Sequence, residues 1–341
     1  MVQVTLAGGR NFEAGPDESM LAAALRAGIA LEHSCLTGRC GACKAQISHG
    51  QTRSLHEEVG LEPQDRDAGW ILSCARSALT DVHLEGIEDL GVPLPPVKTL
   101  PCRIQSLSLL APDVMGVVLR LAPQQAWMHH AGQSIDVIGP GGLQRSYSVA
   151  NAVAPTQGVQ LELHIRHVPG GAMSRYWFEQ AKPNDLLRLR GPLGTFFLRA
   201  FAQRDLIFLA TGTGIAPVKA MLESLARLPQ AERPRSISVY WGGREPADLY
   251  WQPPLDPVQH YRYVPVLSRA GADWVGARGH VQDVLLAQSP HPSPVLSQST
   301  VYACGSDAMV HAARERLIEA GLPARHFHAD AFVCSAPNTA S

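Results

Sequence analysis

Cys35, Cys40 and Cys43 are spaced C-x4-C-x2-C, and Cys74 follows after thirty intervening residues. Thiolates at this asymmetric spacing hold a 2Fe-2S cluster, a group whose common task is to move single electrons. Zinc would call for paired C-x2-C units or added histidine ligands. A set of ordinary buried thiols would not explain the spacing. Gly38 and Gly41 lie inside the loop. They let it wrap closely, so that backbone N–H groups can face the cluster sulfurs.

A second run with chemical potential is Thr211-Gly212-Thr213-Gly214-Ile215-Ala216-Pro217, directly after the apolar stretch DLIFLA. Glycines at a strand end give the sharp turn and close backbone approach that a pyrophosphate needs, and the following helix start favours anions. Pro217 suits a first helical turn, where its missing N–H costs nothing. Position 217 holds proline where a G-x-G-x-x-G fingerprint has its third glycine, so a standard Rossmann fingerprint is contradicted.

These groups need scaffolds. At 341 residues, with 45% hydrophobic and 17% charged side chains, the chain is expected to form two or three globular domains. Residues 1–90 alternate strand text (VQVTL, KAQIS, WILSC, DVHLE) with one short amphipathic helix in SMLAAALRAGI, and VQVTL reads as an edge-starting strand. Three prolines and a glycine in EDLGVPLPPVKTL mark a linker, placed at 91–100. Six short β-runs broken by turns fill 101–202: CRIQSLSLL, VMGVVLRL, SIDVIG, RSYSVA, VQLELHIRHV and DLLRLRG. They suggest an antiparallel barrel. From 203 to 334 strands alternate with helices at 216–227 and 307–320, as in a small parallel α/β domain, and 335–341 is a tail.

The first ninety residues carry 7 basic and 13 acidic side chains, whereas the remainder carries 22 and 17. An acidic module tied to a basic body suggests electrostatic docking, internally or with a partner. Glu57, Glu58, Glu62, Asp65 and Asp67 read as a solvated acidic loop. Nothing reads as a nucleic-acid stripe, a membrane span or a secretory signal. Seven cysteines, an odd number with four in a metal pattern, argue for a reducing, cytoplasmic setting. Cys102 and Cys334 read as inert thiols.

Residues 1–90 resemble a plant-type ferredoxin, and the rest resembles a ferredoxin–NADP reductase-type flavoprotein module. The whole chain thus resembles the fused iron–sulfur flavoprotein reductases. These include the reductase components of ring-hydroxylating dioxygenases and the CDP-6-deoxy-3,4-glucoseen reductases, the latter through RSYSVAN, LELHIRHVPGG, GPLGTFFLR and YACGSDAMV. The resemblance implies a multidomain chain: a β-grasp ferredoxin, a six-stranded antiparallel Greek-key FAD-binding barrel, and a parallel-sheet α/β nicotinamide domain.

It also implies roles. In Arg145-Ser146-Tyr147-Ser148, the R-x-Y-S motif, Arg145 would pair with a flavin phosphate, Tyr147 lie on the ring and Ser148 hydrogen-bond near flavin N5. Gly170-Gly171-Ala172-Met173-Ser174 would approach the pyrophosphate, Ser174 capping the helix and touching phosphate; read alone, this text is equally a plain turn with an N-cap. Alternation in ELHIRH places Glu162, His164 and Arg166 opposite Leu161, Leu163 and Ile165. Arg166 is expected near the flavin phosphates, and His164 and His167 at the surface. The G-T-G-I-A-P form matches the family's nicotinamide loop. Cys304-Gly305 would sit by the nicotinamide, although a buried strand-end cysteine explains the text too. In FHADAF, Phe332 would shield a flavin face and Asp330 be structural. Arg244 fits a 2′-phosphate, the pyrophosphate or adenine equally well. The expected cofactors are FAD, the 2Fe-2S cluster and NADH, with NADPH possible.

The expected activity is electron transfer from NAD(P)H through FAD and the cluster to a separate electron-acceptor protein, a dehydratase or oxygenase component. A stand-alone NAD(P)H:flavin or quinone reductase and a redox carrier with a decayed reductase half are the rivals. YWGGREPADLYW supports the former, and the intact motifs argue against the latter.

Overall fold

In the computed structural model, residues 1–153, 158–199, 201–254, 260–287 and 295–332 are described; Cys334 and the tail lie outside them. The chain divides into two compact units, Met1–Pro96 with Gly194–Phe196, and Val97–Leu193 with Phe197–Ser341.

The first unit contains β1 (Val2–Leu6), β2 (Asn11–Ala14), α1 (Met20–Arg26), β3 (Lys44–His49), β4 (Thr52–Ser54), α2 (Pro63–Asp67), β5 (Trp70–Leu72), β6 (Arg76–Ala78) and β7 (Val82–Glu85). Five strands form one sheet in the order β2-β1-β7-β3-β5, and β4 pairs with β6. β1 is therefore not an edge strand. It pairs antiparallel with β2 and parallel with β7, a partner some eighty residues away that no local pattern announces. Ser19 caps α1, its hydroxyl accepting from Ala22 N at 3.1 Å. Met20, Leu21, Ala23 and Ala24 face the core, and the helix stops before Gly28, whose φ of 74° is left-handed.

The second unit begins with six antiparallel strands: β8 (Lys98–Ala111), β9 (Val114–Leu121), β10 (Ser134–Ile138), β11 (Gln144–Ser148), β12 (Gln160–Arg166) and β13 (Leu186–Leu193). Their order is β11-β10-β13-β8-β9-β12, so β12 and β13 reach their neighbours by crossing over others, as in a Greek key. A bridge between Val149 and Leu163 joins the two ends and closes the barrel. Alternate residues fill it, among them Val117, Leu119, Ile135, Val137, Leu161, Leu163 and Leu189. Between β12 and β13, α3 (Ala172–Arg175) runs into a π-helical turn at Tyr176–Gln180.

The remaining elements are β14 (Asp205–Thr211), α4 (Ile215–Ala226), β15 (Ser236–Gly243), β16 (His260–Leu267), β17 (Ala277–Arg278), α5 (Val281–Ala287), β18 (Ser299–Ser306), α6 (Asp307–Glu319) and β19 (Phe327–Phe332). All strands are parallel, in the order β17-β16-β15-β14-β18-β19. Asp205 through Ala210 are all buried, as expected of a strand covered on both faces. β14 leads to β15 on one side, while β18 lies on the other. The order reverses there, and in such sheets the crevice outside the carboxyl ends of those two strands is where ligands bind. Thr211–Gly214 and Cys304–Gly305 stand at those two ends.

Candidate functional site

The loop after α1 carries Cys35, Cys40 and Cys43, and Cys74 follows β5. Cys43 and Cys74 are buried, whereas Cys35 and Cys40 are half-buried. The sulfurs form two pairs. Cys35 N donates to Cys40 Sγ at 3.5 Å and Cys40 N to Cys35 Sγ at 3.4 Å, with Thr37 N also on Cys35 Sγ. The Cys43 and Cys74 side chains hydrogen-bond each other. Two thiol pairs with backbone N–H groups already aimed at sulfur suit a binuclear cluster, one pair for each iron. Among the described residues no group of three or more ligand side chains is set to hold a single metal ion.

Gly38 and Gly41 adopt φ of 71° and 72°, and the loop lies tight against Glu57–Gly60. A Cβ on Gly38 would overlap the Glu57 carbonyl oxygen, and one on Gly60 would overlap that of Arg39. Gly60 N donates to Gly38 O at 2.9 Å. The acidic run is consequently not a uniformly solvated face, and part of it is the short helix α2. Glu58 is buried; it accepts from Leu72 N at 2.7 Å and from the Arg76 Nε and Nη2 at 3.0 and 2.8 Å. Its partner lies on β6, beyond the reach of any local sequence signal.

On the barrel, β11 presents the R-x-Y-S residues. Arg145 is exposed, and among the described residues it has no carboxylate partner; its guanidinium touches only the Gln144 carbonyl, at 2.7 Å. Ser146 Oγ donates to Asp136 at 2.5 Å. The Tyr147 hydroxyl accepts from Trp177 Nε1 at 3.0 Å, the indole standing edge-on to the phenol, and burial pushes the phenol up to about 12. Trp177, three residues beyond Ser174, belongs to no motif. Ser148 is buried at the strand end. Gly170 has φ of 74° with open space where a Cβ would stand, and Met173 packs its thioether against Gly139. Ser174 does not cap α3. Gly171 holds that position, and the Ser174 hydroxyl accepts from Val168 N at 2.8 Å. A guanidinium with no carboxylate partner among the described residues, an immobilised ring and an open Gly170 fit a flavin and its phosphates.

At the crevice, Gly212 has φ of 53° and its carbonyl accepts from Trp241 Nε1 at 2.9 Å. Thr213, Gly214 and Pro217 are buried behind it. A Cβ on Gly214 would overlap the Cys304 carbonyl oxygen. Gly305 has φ of 139° and packs on Thr211, whose hydroxyl accepts from Ser306 N at 3.0 Å. The Cys304 side chain is fully buried, and burial, with Asp330 beside it, drives its thiol well up. Phe332 ends β19 opposite Ser306 and is half-exposed.

Arg166 ends β12. Its guanidinium lies on Gly212, paired with Asp113 at 2.9 Å and Asp248 at 3.2 Å. Arg244 pairs with the same two carboxylates, each at 3.3 Å. His164 is buried rather than a surface histidine, held between Tyr250 Oη at 3.1 Å and Glu162 Oε1 at 2.9 Å. His167 lies edge-on to Phe178, partly exposed. Burial opposes ionisation of Glu162, but His164 and Lys219 outweigh it and hold the carboxyl at about 2. The face opposite the barrel core is thus a polar junction with the α/β half. Alternation located that face but not what covers it.

Three family models match in succession: a 2Fe-2S iron-sulfur cluster binding domain over residues 4–78, an oxidoreductase FAD-binding domain over 101–198 and an oxidoreductase NAD-binding domain over 208–315. The chain is 38% identical to the CDP-6-deoxy-L-threo-D-glycero-4-hexulose-3-dehydrase reductase of Yersinia pestis, over 95% of this chain and 96% of that one. It is 32% identical to a terephthalate 1,2-dioxygenase reductase component of a Comamonas species, over 95% of each. A crystal structure of a cytochrome P450 reductase from Amycolatopsis superposes with a TM-score of 0.74 at 30% identity, covering 97% of this chain and 99% of that one. Among the described residues no helix is long and apolar enough to cross a membrane.

Proposed function

Since the chain belongs to the fused iron–sulfur flavoprotein reductases and passes electrons from NAD(P)H to a partner, we propose that its partner is a CDP-6-deoxyhexulose dehydrase rather than an oxygenase. The observation that carries this is the 38% identity, end to end, to the Yersinia dehydrase reductase, against 32% to the terephthalate dioxygenase reductase. The test is a coupled assay with each purified terminal component and its own substrate. NADH-dependent turnover is expected with the dehydrase. Turnover with the dioxygenase and none with the dehydrase would overturn the assignment.

When bound, FAD takes two electrons as a hydride from NAD(P)H, and the cluster passes electrons on singly. The chain supplies placement. Cys35, Cys40, Cys43 and Cys74 would hold the cluster irons, their charge tempered by the loop N–H groups. Arg145 would neutralise a flavin phosphate, with Ser146 oriented beside it by Asp136. Tyr147, fixed by Trp177, would pack on the ring, and Gly170, Gly171, Met173 and Ser174 would shape the turn for the pyrophosphate. Thr211, Gly212, Thr213, Gly214 and Pro217 would hold the dinucleotide phosphates, with Arg166 above Gly212. Gly305 would leave room for Thr211 at the strand ends. Cys304 would line the nicotinamide pocket, and Phe332 would shield a flavin face. Arg166 and Arg244 are each paired with Asp113 and Asp248, so neither is a free guanidinium for a 2′-phosphate. That supports NADH over NADPH.

Ser148 is the residue assigned to the hydride-accepting end of the flavin. Ser148→Ala is expected to keep its FAD, because Arg145 and the diglycine turn remain. Removing one hydrogen bond that strengthens as charge arrives costs roughly 1–3 kcal/mol, on the order of 10- to 100-fold in rate. Anaerobic stopped-flow reduction by NADH measures that step alone. An unchanged rate constant would remove Ser148 from the transfer site.

A further inference from the structure

Lys219 lies one turn into α4, the helix that leaves the Thr211–Gly214 loop. Its Nζ has three partners: Glu162 Oε2 at 2.7 Å, Glu223 Oε1 at 2.8 Å and the Ala150 carbonyl at 3.2 Å. These use all three ammonium protons. Ala150 follows Ser148 by two residues. Glu223, one turn further along α4, accepts from Ala152 N at 3.0 Å. One helix face therefore grips both sides of the segment that continues the R-x-Y-S strand.

The grip closes into a circuit. Glu162 binds His164, which meets Tyr250. Tyr250 stands edge-on to Trp241, and Trp241 donates to Gly212 in the dinucleotide loop. The Lys219 side chain is only 14% exposed, and burial works against its charge; the two carboxylates outweigh this and raise it above the ordinary lysine range. Well-packed apolar residues often stabilise as much as a buried ion pair does, so the pair's value here lies in fixing one register.

We propose that Lys219 is a positioning residue for hydride transfer, setting the register of the flavin strand at Ser148–Ala152 against the dinucleotide loop at Thr211–Gly214. The inference rests on the reading of those two segments given above. Reacting groups misplaced by about 1 Å lose on the order of 100-fold in rate, so a clasp at the root of both segments bears on the chemistry without touching it.

The test compares Lys219→Met and Lys219→Arg in the full-length holoenzyme. Hydrogen exchange is read first. In Lys219→Met, residues 148–153 and 212–226 should lose protection together, about 10-fold or more, while residues 1–90 do not change and Lys219→Arg recovers much of the loss. Anaerobic stopped-flow is read second. The limiting reduction rate at saturating NADH should fall roughly 10- to 100-fold, with NADH affinity little changed. Loss of protection in one segment alone, or an unchanged limiting rate, overturns the proposal. If Lys219→Met does not fold, Glu223→Gln is used, with the same two readouts expected to move less and the same outcomes overturning it. An unchanged rate in the lysine variant beside a slowed Ser148→Ala overturns the positioning role alone, whereas unchanged rates in both overturn the assigned site as well.

Discussion

Cys40→Ser should lose electron delivery to cytochrome c by roughly 100-fold or more while NADH–ferricyanide activity largely survives. Cys40 Sγ is one half of the Cys35–Cys40 pair and accepts from Cys35 N. A serine hydroxyl is a hard, weakly acidic donor, a poor substitute for thiolate on iron. The residues assigned to flavin and dinucleotide lie in the other compact unit, so the mutation leaves hydride uptake in place. Ferricyanide takes electrons from flavin directly, whereas cytochrome c reports the cluster. Iron analysis should fall from two per chain while FAD content holds. Equal loss of both activities in a folded, FAD-loaded variant would show that this division of labour is wrong.

Gly305→Ala should act on the opposite end of the pathway. Gly305 has φ of 139°, which an L side chain rarely adopts, and an added Cβ would overlap Thr211 Oγ1 and stand 2.8 Å from the Thr211 carbonyl oxygen. The backbone penalty and the overpacking together cost about 2–5 kcal/mol. The strand ends must part or the loop must shift, and Thr211 would lose its hold on Ser306 N. The expected results are a lower melting temperature and an NADH KM raised roughly 10-fold or more, with FAD retained. Unchanged melting and unchanged KM would mean that the dinucleotide loop does not depend on this contact.

The chemistry-bearing cysteines, the six barrel strands and the alternation of strand and helix after residue 203 were legible in the sequence. Each is a local signal: a ligand spacing, a period of two, or a glycine turn at a strand end. Arg145 through Ser148 were legible for the same reason, as neighbours on one strand. Tertiary structure decided what each side chain meets. Glu58 reads as one carboxylate in an acidic run, yet it is buried because Arg76, eighteen residues on, neutralises it. His164 reads as surface because strand alternation says which face a residue takes, not which domain covers that face. Arg166 is expected near the flavin phosphates, and the sequence does not show that Asp113 and Asp248 pair with it over Gly212. Ser174 reads as a cap because serine favours that role, yet its hydroxyl serves Val168 N. Lys219 carries no motif at all. Charge pairing and burial depend on distances between segments far apart in the chain, and those distances exist only once the sheets have closed and the barrel has met the α/β half.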